Sequence, residues 1–262
     1  MKVGVSTACL YPELLENALF KLLESGINTT EIFINSHCEL DKKFVENMAK
    51  LLNDFNAKCV SLHPYTCALE PMMFFSAYER RISDILEYYR GYFEVMNKLN
   101  AKIFIFHGNK IITNVHHHLY FERFHKLFTL GKEYGITVTQ ENVARCQSSA
   151  LSFLTEMSDY LGDDVKFTLD VKQAIRSNED PFNIVNTLKS KIIHTHISDN
   201  GPNGDCLLIG EGTFDINLFL KTLKGFNYSG DIILELYRSN YSTVLDLNKN
   251  YNKIKNIIKH EI

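Results

Sequence analysis

The segments KFTLD at 166–170, PFNIVNTL at 181–188 and IIHTHI at 192–197 follow one another in the pattern that decides the fold. The first and third are short and rich in β-branched and aromatic residues, which is typical of strands covered on both faces. The middle segment begins with Pro181, a residue favoured in the first turn of a helix. A strand, a helix and a second strand in this order predict parallel strands joined by a right-handed crossover.

The same alternation occurs along the whole chain and predicts eight strands. Eight strand–helix units in 262 residues fit a closed (β/α)8 TIM barrel, an α/β fold, as a single domain over residues 1–262. An open, doubly wound sheet is the alternative, although no GxGxxG motif follows the first strand. The predicted strands are Val3–Ser6, Thr30–Ile34, Cys59–His63, Ile103–His107, Thr137–Glu141, Lys166–Asp170, Ile192–Ile197 and Asp231–Glu235.

The segments between these strands carry the signals of helix ends. Pro12 is expected in a first helical turn, and Asp41 and Asp215 are expected as N-caps. Gly26 and Gly135 stand where a helix commonly ends in glycine. The predicted helices are Pro12–Ser25, Asp41–Asn56, Ser76–Leu99, Tyr120–Tyr134, Ser148–Leu161, Pro181–Leu188, Ile216–Lys224 and Ser242–Lys259.

Composition argues against nucleic-acid and membrane partners. Hydrophobic residues make up 45% of the chain, charged residues 23%, and the net charge is −3. Proteins that hold a nucleic-acid backbone usually present a basic stripe, and no basic block occurs here. No segment approaches the ~20 consecutive apolar residues of a membrane span.

The cysteines and the N-terminal sequence favour a cytoplasmic location. MKVGVSTACL lacks the long apolar core of a signal peptide, and no CxxC pair occurs. Without a secretion signal, we expect reduced thiols, most of them packed in the core. The sequence does not decide between a monomer and a homo-oligomer. The six cysteines are Cys9, Cys38, Cys59, Cys67, Cys146 and Cys206.

Charged side chains stand at the ends of the last four predicted strands, which form the active-site face in barrels of this type. Three carboxylates at close quarters repel one another unless a cation lies between them. The group therefore predicts a divalent metal site. His194, two residues earlier on one of these strands, is expected to be a hydrogen-bonded core histidine. The four residues are Glu141, Asp170, His196 and Glu235.

Five further side chains are candidates for substrate binding. His63 and His107 end near-continuous apolar runs, and we favour substrate contact or support of a metal ligand over direct ligation. Lys172 and Gln173 follow Asp170 on the chain, and Lys172 is positioned to point into the barrel mouth. Arg238, in the loop after the last strand, suits bidentate binding of a carboxylate or phosphate. A surface salt bridge is the equal alternative for Arg238.

Short motifs stand at or near the ends of the predicted strands, and their order and spacing are distinctive together. They are HPY at His63, FHGN at His107, QEN at Glu141, LDVKQA at Asp170, HTHISDN at His196, IGEGTFD at 209–215 and ILELYR at Glu235. In these motifs the chain resembles the xylose-isomerase-like TIM-barrel superfamily of sugar isomerases and epimerases, which also includes the endonuclease IV type of DNA repair enzyme. The resemblance implies one divalent cation held by the four strand-end residues. Three carboxylates and one imidazole favour Mn²⁺ or Mg²⁺, with Co²⁺ and Zn²⁺ as alternatives.

The resemblance also implies a reaction on a small-molecule sugar or sugar phosphate. The cation polarises a carbonyl and stabilises the enediolate that forms when the neighbouring C–H proton leaves. Glu141 and Glu235 come from different sides of the metal and are the expected acid/base pair as well as ligands. The predicted activity is therefore that of a metal-dependent isomerase or epimerase.

Three alternatives remain beside this reaction. The same enolate chemistry serves a lyase, such as a dehydratase of a keto-acid like dehydroshikimate, and a non-catalytic sugar-binding protein could keep the pocket. An endonuclease IV-like repair enzyme is less favoured. Gln173, Gly204 and Cys206 stand where the repair enzyme carries further zinc ligands, so we do not expect a trinuclear cluster.

Overall fold

The computed structural model describes residues 1–65 and 68–260, and they form a closed barrel of eight parallel strands surrounded by helices. The predicted TIM barrel is confirmed. A two-stranded hairpin, β8 and β9, is added between the seventh and eighth barrel strands. The strands are β1 (Lys2–Ser6), β2 (Thr29–Phe33), β3 (Lys58–His63), β4 (Ile103–Phe106), β5 (Thr137–Glu141), β6 (Lys166–Asp170), β7 (Ile192–Ile197), β8 (Asp199–Gly201), β9 (Gly204–Leu207) and β10 (Asp231–Leu234).

The order around the barrel is β1-β10-β7-β6-β5-β4-β3-β2. The barrel closes where β1 pairs with β10, with Lys2 opposite Asp231 and Val5 opposite Leu234. The antiparallel hairpin was not predicted from the sequence. It lies in the connection after β7, and its Asn200 carbonyl accepts a hydrogen bond of 2.7 Å from the amide of Thr213.

Helices cover the outside of the barrel. The predicted helix from Ser76 begins instead at Arg80, and Pro12 precedes the first helix rather than starting it. Asp215 caps its helix as predicted by accepting from Leu218 N at 2.9 Å. The helices are α1 (Leu15–Glu24), α2 (Lys42–Asp54), α3 (Glu70–Met73), α4 (Arg80–Leu99), α5 (His117–Glu133), α6 (Leu151–Leu161), α7 (Val171–Arg176), α8 (Pro181–Leu188), α9 (Ile216–Gly225) and α10 (Val244–His260).

The apolar core fills the space between the strands and the helices. Along α4, Tyr89, Tyr92 and Phe93 are fully buried against Phe104 of β4, with ring centroids 5.3 to 5.8 Å apart. Edge-to-face aromatic pairs of this kind add about 0.5–1.5 kcal/mol each beyond the area they bury. This packing holds the strand that leads directly to His107.

Inside the barrel, several buried side chains are polar. Ser61 Oγ donates to Oε2 of Glu31 at 2.7 Å, and the hydroxyls of Thr139 and Thr168 lie 2.7 Å apart. These residues and His194 are at most 1% exposed. Buried polar groups need partners to avoid a large desolvation cost. The barrel interior therefore supplies hydrogen bonds directly beneath the strand ends.

Five cysteines are free thiols, of which only Cys38 is exposed. Cys67 lies outside the described residues. Within the part of the chain that the structure covers, no helix combines the length and the apolar character needed to cross a membrane.

Candidate metal and catalytic site

Glu141, Asp170 and His196 converge at the C-terminal end of the barrel. Nδ1 of His196 lies 3.2 Å from Oε1 of Glu141 and 3.8 Å from Oδ2 of Asp170. All three side chains are at most 2% exposed. Each offers one potential ligand atom within 4.8 Å of the other two. Three of the four predicted ligands thus form one compact group because β5, β6 and β7 are neighbours in the barrel.

Glu235, the fourth predicted ligand, stands one residue beyond β10. Its Oε2 lies 3.7 Å from Nδ1 of His196. The ammonium of Lys172 donates to the same Oε2 at 2.9 Å and lies 3.4 Å from Oδ2 of Asp170. A single ammonium therefore faces two of the carboxylates, which leaves the group of three with excess negative charge.

Two carboxylate oxygens test whether this group fits a metal. Oε2 of Glu141 and Oδ2 of Asp170 are buried and have no aligned hydrogen-bond partner among residues 1–65 and 68–260, although both have cationic or imidazole neighbours. Leaving a buried acceptor without an aligned hydrogen bond costs roughly 1–3 kcal/mol, and more when it is charged. A divalent cation satisfies oxygens from several carboxylates together, and oxygen-rich sets with one imidazole suit such ions. The residues therefore fit a divalent metal.

The directions in which the pKa values of Glu141 and His196 are shifted agree with a metal site. Burial alone raises the pKa of Glu141, but the imidazoles of His107, His196 and His63 hold it well below its usual range. Burial alone lowers the pKa of His196, yet the carboxylates of Glu31 and Glu235 hold it well above the usual histidine value. Without a cation, protonated imidazole compensates the carboxylates. A metal would displace the proton from Nδ1 of His196.

Hydrogen bonds fix the carboxylate and the backbone of Asp170. Oδ1 of Asp170 accepts from the amide of Gln173 at 2.9 Å and thereby caps α7, a helix that was not predicted. The side chain of Asn142 pairs with the Asp170 backbone, accepting from its amide at 2.7 Å and donating to its carbonyl at 2.9 Å. The ends of β5 and β6 are therefore locked together, so Oδ2 of Asp170 is left to face the site.

Glu31 is a site residue that the sequence reasoning missed. It lies on β2 with no exposed surface, and its Oε2 is 3.1 Å from Nε2 of His196 and 3.1 Å from Nε2 of His194. A carboxylate acceptor requires a proton on Nε2, so the lone pair on Nδ1 of His196 is available to a metal. The only sequence signal was one charged residue within the apolar run TTEIFI. His194 is the hydrogen-bonded core histidine that was predicted.

His63 and His107 stand on the other side of Glu141. Their Nε2 atoms lie 2.8 Å apart, and Oε2 of Glu141 is 2.8 Å from Nε2 of His107 and 3.7 Å from Nε2 of His63. Nδ1 of His63 is 3.1 Å from the Pro64 carbonyl, to which it donates. The Nε2 atom of His63 therefore faces His107 and Glu141. Both histidines therefore lie beside Glu141, one of the predicted ligands.

A cavity of about 330 Å³ opens over these residues. Arg238 is not in its lining. Its guanidinium donates instead to the carbonyls of Tyr241 at 2.9 Å and Ser242 at 3.3 Å. Arg145, which the sequence reasoning did not select, does line the cavity. The cavity's aromatic lining residues are Tyr11, Phe33 and Tyr237, and its charged and polar lining residues are Asn35, His63, His107, Glu141, Arg145, Lys172, Gln173 and Glu235.

Comparison with known proteins agrees with the barrel fold. A family model described as xylose isomerase-like TIM barrel matches residues 19–259. The chain belongs to this family. Two uncharacterized proteins from Methanocaldococcus jannaschii are similar to this chain over most of their length. One is 27% identical over 238 residues, covering 87% of this chain and 89% of the relative, and the other is 25% identical over 254 residues, covering 90% and 83%.

Solved structures share the xylose isomerase-like barrel. A D-tagatose 3-epimerase-like protein superimposes with a TM-score of 0.82 at 22% identity, covering 99% of this chain and 97% of that one. A D-allulose 3-epimerase from Methylomonas sp. gives 0.76 at 15%, covering 97% and 96%. A probable 3-DHS dehydratase from Bacillus anthracis gives 0.77 at 16%, covering 98% and 99%. At these identities the likeness shows the fold alone.

Proposed function

We propose that the protein is a divalent-metal-dependent isomerase or epimerase of a sugar or sugar phosphate. The observation that carries the proposal is the set of three carboxylate oxygens around Nδ1 of His196, at 3.2 to 3.8 Å. They come from the ends of three different strands, and two of them, Glu141 and Glu235, line a cavity of about 330 Å³, the scale of a small-molecule site. The epimerases among the structurally similar proteins support the same class.

The proposed metal ligands are the four residues of the strand-end group. Carboxylate oxygens with one imidazole favour Mn²⁺ or Mg²⁺, and Co²⁺ and Zn²⁺ are alternatives. When bound, the cation polarises a substrate carbonyl and stabilises the negative charge that develops on its oxygen. The ligands are Glu141, Asp170, His196 and Glu235.

Glu141 is the proposed base for the proton on the carbon beside the carbonyl. Its pKa is held low by surrounding imidazoles despite burial, so it is a carboxylate at neutral pH. Glu235 is the proposed acid on the other side, because two barrel strands, β6 and β7, separate it from Glu141. The 2.9 Å contact from Lys172 stabilises the negative charge that Glu235 carries after it gives up its proton.

His63 and His107 are proposed to hydrogen-bond substrate hydroxyls. Both line the cavity and both lie within 3.7 Å of Oε2 of Glu141, where the reacting carbon must approach. Gln173 also lines the cavity, but its Oε1 already accepts from the amide of Ala144 at 3.1 Å. Only its amide NH₂ group is therefore proposed for substrate contact.

A dehydratase acting on a cyclic keto-acid is the second candidate. It is favoured by the presence of two cationic side chains, Arg145 and Lys172, in the same cavity lining. Proton removal next to a carbonyl is the first step of both reactions, and they differ in whether a hydroxide then leaves. Measuring water loss from 3-dehydroshikimate by the absorbance of the aromatic product distinguishes the two.

The proposed function is tested by proton exchange. The protein is loaded with Mn²⁺ and incubated in D₂O with a panel of pentuloses and hexuloses, free and phosphorylated, and exchange at the carbon beside the carbonyl is followed by NMR. We expect exchange and epimer or aldose formation with at least one sugar, and loss of both after chelation with EDTA. Turnover that persists in Glu141→Gln, or no exchange with any member, contradicts the proposal.

A further inference from the structure

We propose that Arg145 binds an anionic group of the substrate, a phosphate or a carboxylate, at the cavity that holds the metal site. This rests on the proposed function and narrows its substrate class. Arg145 lies in the connection after β5, four residues beyond Glu141, and its side chain is exposed. It lines the same cavity as Glu141, Lys172 and Glu235.

Lys172 and Arg145 both line the cavity, but they differ in how far their charged groups are already paired with other side chains. Lys172 is 5% exposed and is engaged by Glu235 at 2.9 Å and by Asp170 at 3.4 Å. The guanidinium of Arg145 makes no hydrogen bond and no ion pair with any residue of the described ranges 1–65 and 68–260. Of the two, Arg145 is the cation left for a ligand.

The charges around the cavity also favour an anionic ligand at Arg145. The carboxylates of the metal site pair with Lys172 and with imidazoles, and none of them pairs with Arg145. Arg145 then adds one positive charge to the lining. A neutral sugar offers only hydroxyls to this charge, whereas a phosphate or carboxylate matches the planar guanidinium with two parallel hydrogen bonds.

The backbone that carries Arg145 is held firmly. The Arg145 carbonyl accepts from the amide of Ile111 at 3.0 Å, and the Ala144 amide donates to Oε1 of Gln173 at 3.1 Å. The next residue, Cys146, pairs with Lys110 in an antiparallel bridge. The Arg145 Cα is therefore fixed relative to both β4 and α7. A guanidinium on a fixed backbone loses less entropy on binding than one on a mobile loop.

The first arm of the test compares matched substrates. Free D-ribulose and D-xylulose are assayed against their 5-phosphates, and 3-dehydroshikimate is assayed as the carboxylate-bearing substrate. We expect a higher kcat/KM for the anionic member, and Arg145→Ala lowers that value roughly 10- to 100-fold while changing the neutral sugar less than about twofold. Arg145→Lys falls between, because it keeps the charge and loses the bidentate geometry.

Arg80→Ala is the matched control, since Arg80 is also exposed but lies at the start of α4 outside the cavity lining. It removes the same charge and is expected to leave kcat/KM for anionic and neutral substrates unchanged. An equal loss in Arg80→Ala and Arg145→Ala shows a general charge effect and overturns the proposal. Equal losses on the neutral and anionic substrates in Arg145→Ala also overturn it.

The second arm measures binding without turnover. Titration calorimetry with ribulose 5-phosphate and with inorganic phosphate is run on wild type and Arg145→Ala, with and without Mn²⁺. Binding of ribulose 5-phosphate that weakens roughly tenfold or more in the variant supports the anion site even if no sugar is turned over, in which case only the proposed function fails. Unchanged binding in Arg145→Ala overturns the anion site even if sugars are turned over.

Discussion

Glu31→Gln is expected to weaken metal binding although it replaces none of the proposed metal ligands. Oε2 of Glu31 is 3.1 Å from Nε2 of His196, 3.1 Å from Nε2 of His194 and 2.7 Å from Oγ of Ser61. The carboxylate keeps the proton on Nε2 of His196 and leaves Nδ1 for the metal. Glutamine preserves the shape of the side chain but removes its charge, so both imidazole contacts weaken.

The size of the effect follows from these contacts. Hydrogen bonds to a charged group contribute about 1.5–3 kcal/mol and neutral ones about 0.5–1.5, so two weakened imidazole contacts cost about 2 kcal/mol of folding stability. The Gln amide would also place its NH₂ at Oε1, a buried atom without a partner in the described structure. Because Glu31→Gln also removes a buried charge, the smaller desolvation penalty offsets part of this loss of folding stability. Partners that orient a metal-binding histidine are typically worth about 10- to 100-fold in metal affinity.

Two measurements separate the effects. Urea unfolding of the metal-free protein gives the stability loss, and calorimetric titration with Mn²⁺ gives the affinity. Ser61→Ala is the control, because it removes a 2.7 Å hydrogen bond to the same oxygen and contacts neither imidazole. We expect it to cost about 1 kcal/mol of stability and to leave Mn²⁺ affinity within about twofold. Mn²⁺ affinity within twofold of wild type in Glu31→Gln would refute the orienting role of Glu31.

Three further predictions follow from the site and its surroundings. Glu141→Gln should lower turnover at least about 100-fold, because an amide cannot accept the substrate proton, while Mn²⁺ binding measured by calorimetry is largely retained; rates within tenfold of wild type would contradict the base assignment. Burial raises the pKa of Glu70 from 4.5 to about 7, so its stabilising contribution is complete below the unfolded pKa and is lost as pH rises through the folded pKa. Urea unfolding at pH 6 and pH 8 should therefore show wild type losing about 1 kcal/mol more than Glu70→Gln, and equal losses would disprove this. The metal-loaded protein should not nick duplex DNA with an abasic site at low salt; cleavage that disappears in Glu141→Ala would place the protein with the repair enzymes instead.

Strand periodicity was sufficient to predict the barrel, because each buried parallel strand reads as a short β-rich run followed by a helix signal. The positions of Glu141, Asp170 and His196 at strand ends were sufficient to predict that they lie close together, because the ends of neighbouring parallel strands lie at one end of the barrel. The hairpin β8–β9 and the short α7 were missed. They depend on hydrogen bonds between segments that are distant along the chain, such as those from the Thr213 amide to the Asn200 carbonyl and from the Ala144 amide to Oε1 of Gln173. Local helix and strand propensities do not predict such contacts.

The two arginines show why the outer part of the site could not be predicted. Arg145 and Arg238 stand at similar distances along the chain beyond strand ends, and either side chain suits an anion. What separates them is the backbone around each. The guanidinium of Arg238 donates to the carbonyls of Tyr241 and Ser242 in its own loop. The chain after Arg145 instead pairs with another segment, through the bridge between Cys146 and Lys110. A guanidinium already satisfied by its own loop has little to gain from a ligand, so the cavity's anion-binding role falls to Arg145.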